Sequence, residues 1–167
     1  MNKKSQTFFG VLVIFISVAA FLFLRSSTKP NSITISVPSF LMAPTIPSGS
    51  RQEVELLTSE EKMALQRGTI VYYERTSFRP PPNDKEKYLG RIIGLPNEVI
   101  EFREGTLHIN GIKTEEPYKV QNNSHVNREA KMTVPGDSYL IMTDYRDTVP
   151  FITFMIRQEN ILGVIEE

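Results

Sequence analysis

The 167-residue chain contains no cysteine and no tryptophan, and it has only two histidines. Without cysteine it can form no disulfide and offers no thiol nucleophile or thiolate metal ligand. With only His108 and His125, we expect no zinc site built on histidine, and no other cofactor. An excess of either charge is also absent, because 19 Lys and Arg residues balance 19 Asp and Glu residues. The charge therefore does not indicate a nucleic-acid partner.

One long uncharged run stands near the N-terminus. Residues 8–24, FFGVLVIFISVAAFLFL, follow Lys3 and Lys4, and as a helix they would span about 26 Å, close to the thickness of a hydrocarbon core. No small-x-small cleavage site comes directly after the run, so we predict an uncleaved anchor at the cell membrane. Lysines before the run favour a cytoplasmic N-terminus and an extracellular remainder. The predicted parts are a cytoplasmic tip with a transmembrane anchor (1–27), a linker (28–32) and an extracytoplasmic domain (33–167).

The rest of the chain has the pattern of short β-strands separated by turns. Apolar and polar residues alternate in ITISV, and TIVYYE is rich in residues that favour strands. Glu104-Gly105 and Asn110-Gly111 are hairpin turn signals. We predict a mainly β fold class, an antiparallel β-sheet domain behind one transmembrane helix. The predicted strands are 33–37, 69–74, 88–96, 98–104, 106–111, 138–144 and 151–156, with NILGVI (160–165) only a short tail that does not supply a last strand.

Two further segments break the strand pattern. TSEEKMALQRG (58–68) predicts one short helix, because Thr58 and Glu61 have the spacing of a capping box and Gly68 is a suitable stop. FRPPPND (78–84) predicts an exposed loop, because three prolines remove the donors that a sheet ladder needs.

Three segments, in this order, resemble the characteristic segments of one protein family. PSFLMAPTI (38–46) resembles the family phrase Pro-Ser-x-Ser-Met-x-Pro-Thr-Leu. RGTIVYY (67–73) resembles a segment that usually reads RGDIV, and residues 90–118, GRIIGLPNEVIEFREGTLHINGIKTEEPY, resemble their counterpart nearly throughout. In these segments the chain resembles type I signal peptidases, and the resemblance covers residues 8 to 146. It implies the signal-peptidase fold and a family of membrane-anchored Ser/Lys proteases that cut signal peptides from exported proteins.

The resemblance places the nucleophile's position at a residue that is not serine. The second serine of the family phrase is the nucleophile, and here that position is Leu41. A competing register would use Ser50 of PSGSR, but the Met-x-Pro-Thr that should follow is missing. We interpret PSGS (47–50) as a turn, the ordinary role of such a cluster.

The family's general base is also missing from its expected place. In the family a lysine stands immediately before Arg-Ile-Ile-Gly, and here that position is Gly90. Lys87 and Lys85 lie three and five residues earlier, and odd offsets along a strand point to the opposite face. Ser39, if the chain is extended, lies about 6.6 Å from the position of Leu41, whereas attack needs reacting atoms about 3–3.5 Å apart. We therefore interpret Ser39 as a structural or substrate-side hydroxyl.

The segment that braces the catalytic lysine in the family is altered as well. TDYRDTVPFITF (143–154) keeps only Asp144 and Arg146 of that pattern. From these losses the sequence predicts a pseudoenzyme with no catalytic residue, a non-proteolytic signal-peptidase homologue. By resemblance to dyad-lacking members of Gram-positive pilus gene clusters, it would be an accessory or chaperone-like factor in surface pilus assembly. Its partners would be a pilin or other exported protein, and a sortase. The residues predicted to form the peptide-binding groove, by strand addition, are Ser39, Leu41, Met42 and Gly90.

Two other functions remain open at this point. One is an active membrane-bound signal peptidase whose catalytic groups have moved, such as Ser39 or Ser50 with a distant lysine. The other is a regulatory partner of an active signal peptidase in the same membrane. A cleavage assay separates the first from the pilus role, and co-purification from membranes separates the second.

Overall fold

The computed structural model describes residues 31–76, 84–104, 106–118, 130–145 and 153–166. The predicted anchor, His125, Arg146 and nearly all of the proline-rich segment lie outside these residues. Within the described ranges, no helix is long and apolar enough to cross a membrane.

The described residues form two antiparallel sheets. The strands are β1 (Ser32–Ser36), β2 (Arg51–Leu56), β3 (Ile70–Thr76), β4 (Lys85–Gly94), β5 (Val99–Arg103), β6 (Thr106–Ile109), β7 (Ile112–Thr114), β8 (Ala130–Thr133), β9 (Ser138–Met142), β10 (Thr153–Arg157) and β11 (Ile161–Ile165). The first sheet has the order β1-β2-β11-β3-β4-β9-β10, and the second has the order β7-β6-β5-β8. The prediction of a mainly antiparallel β fold is therefore confirmed.

The central strands of the first sheet are buried on both faces. In β3, Ile70 and Tyr72 pack on one side while Val71 and Tyr73 pack on the other. This explains why TIVYYE is a continuous run without polar alternation.

Three apolar clusters fill the space around the sheets. One lies beneath the loop after β1 (Val37, Met42, Ile46, Val54, Ile70 and Ile165). A second covers the other face of the first sheet (Val71, Tyr73, Ile92, Tyr139, Ile141, Ile156 and Ile161). A third joins the two sheets (Ile93, Ile100, Phe102, Leu107, Ile109, Val134, Leu140 and Met142). The clusters hold the loop that carries Ser39 against the seven-stranded sheet.

A predicted helix cap and a predicted hairpin turn are confirmed, whereas a predicted helix end and the predicted C-terminal tail are not. Helix α1 (Ser59–Met63) begins with the predicted capping box of Thr58 and Glu61, but it ends near Ala64 and not at Gly68. Asn110 and Gly111 take positive φ values of 52° and 83°, as a two-residue hairpin turn requires. The predicted C-terminal tail is wrong, because β11 lies inside the first sheet between β2 and β3.

Candidate active site

A cavity of about 460 Å³ opens between the loop after β1 and strands β3 and β4. Its volume falls in the range of small-molecule and peptide side-chain sites. Polar and apolar groups line it together, among them Ser36, Ser39, Leu41, Met42, Tyr72 and Lys87.

The loop that carries Ser39 is a turn and not an extended strand. The Ser39 hydroxyl accepts a hydrogen bond from the Leu41 backbone N–H at 3.2 Å. The base of the loop is closed by Val37, whose N–H donates to the Ser50 carbonyl at 2.9 Å and whose carbonyl accepts from Gly49 at 2.7 Å. The 6.6 Å separation of an extended chain does not apply here, because the turn brings the Ser39 hydroxyl back to the Leu41 amide.

Lys87 faces the same cavity as Ser39. It lies on β4 on the face that also carries Leu89, whose side chain packs on the cluster beneath the loop. The Lys87 side chain is exposed, and its Nζ lies 5.9 Å from the centre of the Tyr72 ring. The fold therefore brings a serine hydroxyl and a lysine amine to one cavity from positions 48 residues apart.

Gly90 lies on the opposite face of β4. A Cβ atom there would stand 2.4 Å from Ile141 Cγ2 and 3.2 Å from the Met142 carbonyl oxygen. Such contacts leave no room for a side chain, and Gly90 is not among the residues that line the cavity. The odd offset does separate Lys87 from Gly90, as the sequence predicts, but the loop with Ser39 and Leu41 lies on the Lys87 side.

Of the other predicted site residues, Leu41 and Met42 line the cavity and Ser50 lies in a nearby turn. Met42 is 2% exposed and Leu41 is half-buried, and both line the cavity. Ser50 lies in the turn predicted for PSGS, where its hydroxyl donates to the Pro47 carbonyl at 2.7 Å.

A buried ion pair fixes the loop to the sheet. The Arg91 guanidinium makes two hydrogen bonds to the Asp144 carboxylate, at 2.9 and 2.7 Å. The Thr45 hydroxyl donates to the same carboxylate at 2.7 Å, and Arg91 also donates to the Gly68 carbonyl at 2.8 Å. The side chains of Arg91 and Asp144 are 2% and 0% exposed. Such bidentate pairing gives a fixed geometry that a single contact would not.

Two further titratable side chains, Glu86 and Tyr88, line the cavity. Burial raises the pKa of the Tyr88 hydroxyl, and its hydrogen bond to Glu86 adds to the increase. The Tyr88 hydroxyl therefore keeps its proton at neutral pH and donates a hydrogen bond to Glu86. Among the described residues, no group of three or more His, Asp and Glu residues could hold a metal ion.

The family described as "Signal peptidase, peptidase S26" matches residues 6–149. This chain belongs to that family. It is 30% identical to signal peptidase I of Bacillus licheniformis, in a match that covers 99% of this chain and 85% of that protein. It is 28% identical to signal peptidase I of Bacillus amyloliquefaciens and to signal peptidase IB of Staphylococcus aureus, and each match covers 66% of the relative's length. The chain thus spans about two thirds of the length of these two relatives. A crystal structure of a signal peptidase I from Enterococcus faecalis aligns with a TM-score of 0.48 at 26% identity, covering 61% of this chain and 97% of that chain.

These relatives overturn the prediction of a non-proteolytic accessory factor in pilus assembly. They are named signal peptidase I or IB, the name of an enzyme, so the predictions of a pseudoenzyme and of a chaperone role are wrong. The prediction rested on the losses at Leu41, at Gly90 and in the segment after Asp144. It also assumed an extended chain around Ser39 and placed Lys87 by its offset from Gly90, whereas in the fold Ser39 and Lys87 line one cavity. The pairing of Tyr72 with Leu89, beside Lys87 on β4, is a feature of the folded sheet that the spacing along the chain does not indicate.

Proposed function

We propose that the protein is a membrane-anchored signal peptidase in which Ser39 is the nucleophile and Lys87 is the general base. The observation that carries the proposal is that both side chains line one cavity. Membership of the signal peptidase family supports peptide hydrolysis as the reaction. In this proposal, Ser39 and Lys87 are the relocated catalytic groups.

The two groups are suited to a two-step hydrolysis. Ser39 Oγ attacks the carbonyl carbon of the scissile peptide bond and gives its proton to Lys87 Nζ. The leaving amine takes that proton, and water then hydrolyses the ester formed on Ser39. Only a neutral amine can accept the proton, so Lys87 must be uncharged when Ser39 attacks.

The turn at Ser39 orients the hydroxyl for this step. Because the Leu41 N–H donates to Ser39 Oγ, one lone pair of that oxygen is occupied. The hydroxyl's own proton stays available for a base on the cavity side. A hydroxyl held in this way needs less reorganisation before attack than a freely rotating one.

The cavity walls favour an extended peptide with apolar side chains as the substrate. Leu41, Met42 and Tyr72 supply apolar surface around the two polar groups. The substrate is an exported protein, such as a surface pilin, that presents its signal peptide at the cell membrane. The predicted anchor at residues 8–24 would keep the domain beside that membrane, on its extracellular side. Gly90 would contribute through close packing under the sheet, and not through contact with the peptide.

The test is cleavage of a signal-peptide-bearing protein by the full-length chain in detergent micelles. We expect turnover by the wild type and a loss of at least about 100-fold in Ser39→Ala and in Lys87→Met. Two matched variants serve as controls. Ser50→Ala removes a hydroxyl held in a turn, and Lys85→Met removes a lysine of the same strand that pairs with Glu74. Both controls should cleave at the wild-type rate.

Two results would contradict the proposal. If Ser39→Ala cleaves as fast as the wild type, the nucleophile lies elsewhere. If the wild type cleaves nothing but changes the rate of a second signal peptidase added to the same micelles, the protein is a regulatory partner.

A further inference from the structure

Tyr145 holds the two residues that follow Ser39. Its backbone N–H donates to the Leu41 carbonyl at 2.9 Å. Its ring meets the Phe40 ring edge-on, with the centroids 5.2 Å apart and the planes at 90°, an arrangement that aromatic pairs favour. Leu41 in turn donates its own N–H to Ser39 Oγ at 3.2 Å. A continuous series of contacts therefore runs from Tyr145 to the Ser39 hydroxyl.

Tyr145 itself is held by its neighbours in the chain. The Thr143 hydroxyl donates to the Tyr145 carbonyl at 3.0 Å. Asp144, which is fully buried, accepts hydrogen bonds from Arg91 and from the Thr45 hydroxyl. The segment that follows β9 therefore cannot shift without breaking buried polar contacts, which is costly. It gives the loop a fixed point of attachment.

The contact between Phe40 and Tyr145 does little for the core. Phe40 is 51% exposed, so much of its ring stays in contact with solvent. The contact matters because of where Phe40 lies, since it directly follows Ser39 in the loop at the cavity. An exposed aromatic contact at this place restricts where the loop can lie.

We propose that Tyr145 is a positioning residue, which holds the Ser39 loop in position through its ring contact with Phe40. This inference rests on the proposed function, since positioning matters for catalysis only if Ser39 is the nucleophile. A displacement of about 1 Å near the reacting atoms can lower a rate about 100-fold. A contact that contributes little to stability can therefore have a larger effect on turnover.

The experiment compares substitutions at both rings in the full-length chain in detergent micelles. Tyr145→Leu keeps the backbone N–H and apolar bulk but removes the ring. We expect it to lower kcat about tenfold while KM changes less than about twofold. Tyr145→Phe keeps the ring and should retain the wild-type kcat. Phe40→Leu should lower kcat as Tyr145→Leu does, and the double variant should lose no more than either single variant. Met63→Leu, on an exposed residue of α1, is the control for a remote apolar change.

A second measurement does not depend on activity. The amides of Ala43 and Ile46 are bonded within the loop, to the carbonyls of Phe40 and Met42. We expect their hydrogen exchange to be faster in Tyr145→Leu, with no change in β3. Equal exchange in Tyr145→Leu and wild type would overturn the positioning role, whether or not the wild type cleaves. Absence of cleavage by the wild type would overturn only the proposed function. Additive losses of kcat in the double variant, or a Tyr145→Phe variant as slow as Tyr145→Leu, would also overturn the positioning role.

Discussion

Lys87 and Gly90 lie three residues apart on β4, yet they face different surroundings. On the Lys87 side the sheet borders a cavity of about 460 Å³ under the Ser39 loop. On the Gly90 side, Tyr73 and Ile141 pack so closely that a Cβ atom would not fit. At Lys87 the strand borders open space, and at Gly90 it is filled by core, although Glu86 and Tyr88 at the alternate positions also line the cavity. The difference teaches that positions three residues apart on one strand can meet an open cavity and a packed core.

The strongest way to sharpen this comparison is Lys87→Arg. The substitution keeps the positive charge at an exposed position, so the fold should keep its stability. Arginine does not lose its proton in proteins and so cannot act as a base. We expect cleavage to fall by about 10²–10⁴-fold, the usual contribution of a general base. The measurement is kcat with a signal-peptide substrate, beside thermal unfolding followed by circular dichroism. Full activity in Lys87→Arg would show that Lys87 supplies only charge.

A second variant, Asp144→Asn, removes the charge that ties the loop to the sheet. It leaves the Arg91 guanidinium buried without a carboxylate, so we expect the free energy of unfolding to fall by about 3–5 kcal/mol. Asp137→Asn is the matched control, because Asp137 pairs with Arg157 at 3.8 Å and its side chain is 64% exposed. That control should change stability by less than about 1 kcal/mol. Urea unfolding of the full chain in micelles measures both variants, and equal losses would mean that the buried pair is unimportant.

Much of the fold could be predicted from the sequence because its signals are local. Strand alternation, the capping box at Thr58 and the turn at Asn110-Gly111 each depend on a few adjacent residues. β11 was missed because ILGVI is short, and its place between two other strands depends on pairing with distant segments.

The candidate site was the harder part to predict, because two of its features arise from tertiary structure. The turn after Ser39 brings its hydroxyl to 3.2 Å from the Leu41 nitrogen. Which face of β4 meets that loop depends on the pairing of Leu89 with Tyr72. Neither feature is encoded in the spacing of Ser39, Leu41 and Gly90 along the chain, so the prediction of a pseudoenzyme could not take them into account.

A third variant, Gly90→Ala, tests the packed face. The added methyl would have to displace Ile141 or the Met142 backbone, and overpacking of this kind costs about 1–3 kcal/mol. The matched control is Gly136→Ala, where the nearest atom, at 3.1 Å, belongs to the side chain of Asn97 and can move. We expect a clear loss of stability in Gly90→Ala, with the activity per folded molecule preserved. If Gly90→Ala keeps its stability but loses cleavage, Gly90 belongs to the site and the two faces are not separate.

The smallest expected effect concerns Glu101, a charged residue on β5 of the second sheet. Hydrogen bonds from Lys131 and from Arg103 lower the pKa of the Glu101 carboxyl below its usual value of 4.5. Because the folded pKa is depressed, the stabilisation is present above the unfolded pKa, and it is lost as the pH falls through the folded value. We therefore expect the wild type to lose more stability than Glu101→Gln when the pH falls from 6 to 3 in parallel thermal melts. Lys131→Met should reduce this difference, because it removes the partner that lowers the pKa most. If wild type and Glu101→Gln lose stability equally, the ion pairs of Glu101 contribute nothing measurable to the pH dependence of stability.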